Sequence, residues 1–411
     1  MDSFADRLKS LGFKPASKIE PPMNAETESL ESHIKGILIE NSAGSFVMKE
    51  EIYSNQYQHG EITFSGAIDT EAIHQAGKLR VSSPNSFENM IFIDTETTGL
   101  SGGAGTFAFL VGVGSFNPLE GFKLQQFILR DPTEEKAMLL HLTNLVRDDS
   151  IFVSFNGKSF DIPLLQNRLI VNRIPGNFRE RDHLDILHLS RKIWGRQLPS
   201  CTLKDLETNI LHLARTSEDV PGWMIPDIYF RYLHDHDPAP IADVIYHNAQ
   251  DIVSLAALFI HITHLLEADL NQMEISTDDL IAISSIYWNL RTFETACQIL
   301  QSCEKRDLNR SQLATVHAML GKYFKQQRLF SEAADHWQIA AANGDFSSYI
   351  DLAKYFEHEV RDIKSAIHWT NLGQSLISNN QSLKNARLEK ELQKRVNRLQ
   401  AKEGNHVSKE N

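Results

Sequence analysis

Apolar and polar positions along this chain change rhythm three times. In residues 1–30, Phe4, Leu8 and Leu11 have the spacing of a short helix, and Pro15, Pro21 and Pro22 then break it into a linker. From His33 to about Thr63 the apolar runs are short. Gly36-Ile37-Leu38-Ile39 and Ser45-Phe46-Val47-Met48 flank the turn cluster Asn41-Ser42-Ala43-Gly44, which predicts two strands. From Met90 to about Leu270 strand and helix patterns mix. Ile91-Phe92-Ile93, 111–116, 122–129 and 151–155 read as strands, 133–147 as a helix (Ala137, Leu140, Leu145), and another helix begins near Ile162. A run of strands followed by alternation with helices predicts a mixed α/β sheet.

Beyond Asp278 the pattern is helical throughout and repeats. Tyr287, Phe293 and Ala296 recur as Phe324, Phe330 and Ala333, and a weaker third copy carries Ile363 and Ala366. With Leu320-Gly321 and Trp337 this follows the tetratricopeptide pattern, and three such helix pairs predict a solenoid. Leu388, Leu392, Val396 and Leu399 form one stripe on a basic segment, the mark of a capping helix. The expected divisions are a helix and linker over 1–30, a small β-rich extension over 31–82, the α/β domain over 83–270, the repeats over 275–380, and a capping helix and tail over 381–411.

Composition adds bounds. Among 411 residues, 42% are hydrophobic and 23% charged, ordinary for a globular protein. No unbroken run of about 18 apolar residues occurs, so no membrane association is expected. Met1-Asp2-Ser3-Phe4 does not open a secretory signal, and Cys201, Cys297 and Cys303 have no paired spacing, so reduced thiols and a cytoplasmic location are expected. The net charge of −12 argues against binding nucleic acid over the whole surface. Between Lys158 and Arg196, however, eight Lys/Arg stand against four Asp/Glu, a local balance suited to phosphates.

Candidate chemistry begins where the strand Ile91-Phe92-Ile93 runs into Asp94-Thr95-Glu96. Residues two apart in a strand share a face, so two carboxylates emerge side by side and repel unless a proton or cation sits between them. Hard oxygen donors at this density suit Mg²⁺ or Mn²⁺, although Asp-x-Glu is equally an ordinary strand end. Asp161 stands just before Ile162-Pro163, which by itself favours a helix N-cap. His247 and Asp251 are four apart on one face of an amphipathic helix, by themselves a surface pair. The lone His59, in a turn, reads as structural.

Taken together, these signals resemble the DEDD exonucleases of the ribonuclease H-like superfamily, with Asp94, Glu96, Asp161 and Asp251 in the four acidic places. The phrases Asp94-Thr-Glu-Thr-Thr-Gly-Leu-Ser-Gly-Gly-Ala-Gly-Thr-Phe-Ala-Phe-Leu110, Leu184-Asp185-Ile-Leu-His-Leu-Ser190, Ser200-Cys-Thr-Leu-Lys-Asp-Leu-Glu207 and His247-Asn-Ala-Gln-Asp251 look like the YprB-type ribonuclease H-like domain, often followed by tetratricopeptide repeats. The resemblance implies an α/β ribonuclease H-like sheet, two divalent ions (Mg²⁺ or Mn²⁺) held by the four acids, and 3′–5′ hydrolysis of single-stranded DNA or RNA. It implies substrate contacts at Thr97, Leu100 and Asn156, and a partner or self-association through the repeats. Asp185 reads as an N-cap or a supporting residue. The glycine-rich stretch from Ser101 to Gly105 is either a substrate-packing loop or a plain hairpin.

One departure concerns the general base. The related nucleases carry a His five residues, or a Tyr four residues, before the last Asp; here Tyr246 is five before Asp251 and His247 four before it. The imidazole titrates nearer neutrality and lies on the ligand face, which favours His247 over Tyr246. The exchange, with the acidic net charge, keeps open a non-catalytic nucleic-acid or protein scaffold on the same fold; because fold does not fix function, a structure-selective endonuclease and a hydrolase of a non-nucleic-acid substrate stay open as well.

Overall fold

The computed structural model describes residues 28–64, 70–80, 86–99, 105–213, 220–267, 275–379 and 386–410. The helix expected near Phe4–Leu11 and the linker prolines, together with Leu100 and residues 101–104 of the glycine-rich stretch, lie outside the described residues.

The strands are β1 (Ile37–Asn41), β2 (Gly44–Tyr53), β3 (Gln58–His59), β4 (Ile62–Thr63), β5 (Met90–Thr97), β6 (Ala108–Asn117), β7 (Gly121–Ile128), β8 (Ile151–Ser154) and β9 (Asp182–Asp185). Seven form one mixed sheet in the order β1-β2-β7-β6-β5-β8-β9. Strands β1, β2, β7, β6 and β5 pair antiparallel in turn, while β5–β8 and β8–β9 are parallel. The first hairpin thus extends the main sheet instead of making a sheet of its own. Its turn is closed by Asn41, whose side chain accepts from the Ala43 amide and donates to the Ala137 carbonyl.

The helices of this half are α1 (Leu30–His33), α2 (Glu71–Gly77), α3 (Glu135–Leu145), α4 (Asp161–Val171), α5 (Ile186–Trp194), α6 (Leu203–Asn209), α7 (Ile225–Asp235) and α8 (Ala239–Glu267). Parallel strands need cover on both faces, and the apolar stretch of β5 is buried throughout. Phe92 packs on Phe259 of α8 with ring centroids 5.4 Å apart. On the other face Phe109 of β6 stacks on Tyr229 of α7, at 4.0 Å. Helix α8 carries the His247–Asp251 face expected from the sequence and extends beyond it in both directions. It is long and apolar enough to cross a membrane, but 78% of its most apolar stretch is buried inside this domain, so here it is a core helix. Acids and histidines interrupt its apolar run, which is why no unbroken segment was visible in the sequence.

The second half is helical: α9 (Thr277–Asn289), α10 (Phe293–Glu304), α11 (Arg310–Gln326), α12 (Phe330–Ala342), α13 (Phe346–Tyr355), α14 (Ile363–Asn379) and α15 (Ala386–Glu410), with a single π turn, Phe356–Val360, between α13 and α14. Phe293, Phe330 and Ile363, the repeat-marking residues, each open the second helix of a pair, and Ala296, Ala333 and Ala366 behind them are fully buried. At Gly321 a Cβ would stand 2.3 Å from Trp337 Nε1, so glycine there lets α11 and α12 meet. Leu392, Val396 and Leu399 bury their stripe as α15 closes the array. The apolar core is continuous from the sheet through α8 and α5 into α9 and α10.

Candidate active site

The C-terminal end of β5 carries Asp94 and Glu96 toward α8, and Thr95 between them toward the opposite face. Helix α8 answers with one face. His247 Nε2 lies 3.9 Å from a Glu96 carboxylate oxygen and 3.8 Å from one of Asp251. One turn of helix separates His247 from Asp251, so both reach the same spot. Asn248 Nδ2 donates to Asp94 Oδ2 at 2.8 Å. Asn248 is itself fully buried and fixed by Gln126 of β7, whose Nε2 donates to Asn248 Oδ1 at 2.9 Å and to the Ile245 carbonyl at 2.7 Å. This close approach depends on Gly112, the β6 partner of Asp94. A Cβ there would stand 2.3 Å from Asn248 Oδ1 and 2.5 Å from Ile252 Cδ1.

Asp161 arrives from the other side. It is not the N-cap of α4: Phe160 holds that position without a side-chain cap bond, and Asp161 is the first helical residue. Its carboxylate instead accepts a short hydrogen bond from the Thr95 hydroxyl. The turn that delivers it is fixed by Asp185, which lies opposite Ser154 where β8 and β9 pair. Asp185 accepts from the amides of Asn156 at 2.8 Å and Lys158 at 3.2 Å, and caps α5 through Leu187 N. Asn156 takes a left-handed conformation, φ 67°, to make the turn. Gly157 follows because a Cβ would come within 2.8 Å of Asp161 Oδ2. Burial pushes the Asp161 carboxyl up to about 6, against the lowering pull of the Thr95 hydrogen bond; the nearby charge of Asp185 raises it further.

Of the remaining sequence candidates, Thr97 donates its hydroxyl to the Gly99 carbonyl at 3.0 Å. Tyr246 is 45% exposed and lies within electrostatic reach of Tyr53 and Tyr57, whereas His247 points at the acids. His59 is buried and bonded to Ser254 Oγ at 2.8 Å, a structural tie between β3 and α8. The Thr202–Asp205 part of the Ser200–Glu207 phrase forms a capping box on α6, so it serves local structure. Beside the start of α4, a cavity of about 490 Å³ is lined by Lys78, Arg80, Lys158, Arg179 and Arg181, with Ile162, Pro163 and Asp182. Arg80 pairs with Asp182 at 2.7 Å and Arg181 with Asp148 at 2.6 Å.

Sequence reasoning left out Asn248, Gln126, Gly112 and Thr95. The signal for Asn248 was at hand, since it sits between His247 and Asp251. Gln126 and Gly112 gave none, because their contribution depends on a helix more than a hundred residues away.

Residues 91–263 match the RNase_H superfamily, and with the sheet order above they make this half a ribonuclease H-like domain. The chain is also 29% identical over 376 residues to a Bacillus subtilis (strain 168) protein described as "Uncharacterized protein YprB". That alignment spans 85% of this chain and 88% of the relative, so it reaches into the helical half as well.

Proposed function

We propose that this protein is a metal-dependent nuclease, a 3′–5′ exonuclease of the DEDD type acting on single-stranded DNA or RNA. One observation carries the reading: Asp94, Glu96, His247 and Asp251 converge at the end of β5, with Asp161 bonded to the intervening Thr95. The donor set fits hard divalent cations, since four carboxylates supply oxygen and Asp161 is half-buried near another acid, Asp185. Asp94, Glu96, Asp161 and Asp251 would hold two Mg²⁺ or Mn²⁺ ions. When bound, these would stabilise charge on the scissile phosphate and on the leaving oxygen.

The chain's own groups do the rest. Gln126 and Asn248 hold the Asp94 carboxylate in one orientation, which removes the reorganisation that a free side chain would need. His247 Nε2, facing Glu96 and Asp251, accepts or orients the proton of the attacking water. Tyr246 faces elsewhere and is assigned no part. Thr97, which ends β5, and Asn156, in the turn after β8, are assigned to substrate contact, together with Leu100. The Lys78–Arg181 cavity beside α4 supplies positive charge along the approach. We read the helical half as a tetratricopeptide-like platform for a partner or a second copy, and the protein as cytoplasmic.

The test is cleavage of 3′-labelled and 5′-labelled single strands in Mn²⁺ and in EDTA. Stepwise release of mononucleotides from the 3′ end, abolished by EDTA, is expected. Intact substrate with Mn²⁺ would sink the reading and leave a scaffold; internal cuts would replace the exonuclease with an endonuclease.

A further inference from the structure

We propose that Glu304, His317 and His336 bind one divalent transition metal of the zinc class, which ties together three successive helices of the C-terminal half. Glu304 ends α10, His317 lies in α11 and His336 in α12. Three donor atoms, Glu304 Oε1 and the two Nδ1 atoms, form a triangle. Its edges are 2.8 Å between the nitrogens, and 3.6 Å and 3.7 Å from the oxygen to His317 and His336.

These distances suit a shared ion. Around a tetrahedral ion with bonds of about 2.0 Å, donors stand roughly 3.3 Å apart, and the observed edges bracket that value. A plain hydrogen-bonded cluster accounts for only one edge. One imidazole donates to the other at 2.8 Å, while the carboxylate lies beyond hydrogen-bond distance of both nitrogens. The chemistry agrees as well. Imidazole nitrogens and a carboxylate oxygen are ordinary ligands of such ions, and both rings are shielded from solvent, His317 buried and His336 half-buried. The rings are pre-oriented: Phe324 stacks on His336 with 7° between planes, and His336 on His317 with 30°. Two nitrogens and one oxygen favour zinc-class ions over Mg²⁺ or Ca²⁺, which prefer all-oxygen shells. The site therefore differs in kind from the carboxylates of β5 and α8. Three protein ligands leave the remaining coordination to water or to a donor from another molecule.

Co²⁺ reports such a site by its visible absorption. It is titrated into the full chain carrying Asp94→Asn and Asp251→Asn, which weakens the acidic site, and bound metal is counted by equilibrium dialysis. One equivalent with a nitrogen-ligand visible spectrum is expected. His336→Asn should remove that equivalent, and Glu304→Gln should weaken it by more than ~10-fold, the lower end of what losing even a ligand's hydrogen-bond partner costs. Zn²⁺ should raise the unfolding midpoint of the parent and not that of His336→Asn. His317 is buried, so its variant is informative only if circular dichroism shows a native fold. His336 and Glu304 are more accessible, and they keep the test decisive. Unchanged Co²⁺ count and spectrum in folded His336→Asn would overturn the proposal.

Discussion

Two carboxylates largely withdrawn from water, one in each half of the molecule, have opposite surroundings. Asp161 in the sheet domain meets a neutral hydroxyl, Thr95, and lies near the charge of Asp185; burial dominates and its carboxyl rises to about 6. Glu357 in the helical half has a fully buried side chain. Burial would raise it, but hydrogen bonds from Arg398 and Lys402 and the charges of Arg398 and Arg395 outweigh that and bring it down to about 2. Glu357 lies in the π turn after α13, and its three cations come from α15. Its counter-charge is built into the chain, and it locks the capping helix onto the array. Around Asp161 the chain supplies dipoles and more acids. Glu357 is neutralised by the fold itself, whereas on the function proposed above the counter-charge of Asp161 would be brought by a bound metal.

The largest effect expected is on turnover. Asp94→Asn should lower metal-dependent cleavage by ~10³-fold or more with the fold retained, since losing one pre-organised contact to developing charge already costs ~10²–10³. Undiminished cleavage would erase the functional side of the contrast. Next, Glu357→Gln should destabilise the helical half by ~3 kcal/mol in urea unfolding, because it leaves three cations around a neutral amide. The same pair predicts a pH dependence. The folded carboxyl lies below its ordinary 4.5, so its stabilisation is full above that pH and is lost as pH falls from 4.5 toward about 2. Wild type and Glu357→Gln should therefore converge in stability at low pH.

His247→Asn should reduce kcat by ~10²-fold, the lower end for a general base, whereas Tyr246→Phe should change it by less than ~3-fold. The reverse ranking would move the proton transfer to the tyrosine. Asp161→Asn should do the opposite of Glu357→Gln. With a folded pKa near 6 against 3.8 unfolded, ionised Asp161 costs stability above pH 6 and nothing below 3.8. In EDTA at pH 7.5 the variant should be more stable by ~2 kcal/mol while losing activity. A loss of stability there would mean that Asp161 is a structural carboxylate like Glu357, and the contrast would fail.

The linear order of residues determined a good deal. The run Ile91-Phe92-Ile93 marked the strand that became the sheet's centre, the spacing of Phe293, Phe330 and Ile363 marked the helix pairs, and the acids of β5 and α8 were visible as motifs. Those are local properties: side-chain alternation, helical periodicity and turn chemistry act over a few residues and are legible wherever they occur. Only the tertiary structure decided that the first hairpin joins the main sheet, and that Asp161 answers to Thr95 instead of capping its helix. The same holds for Gln126, Asn248 and Gly112 together holding Asp94, and for Glu304, His317 and His336 forming a donor triangle. Each of these joins residues from separate elements. Hydrogen bonding, close approach and burial depend on distance in space, which sequence separation does not encode.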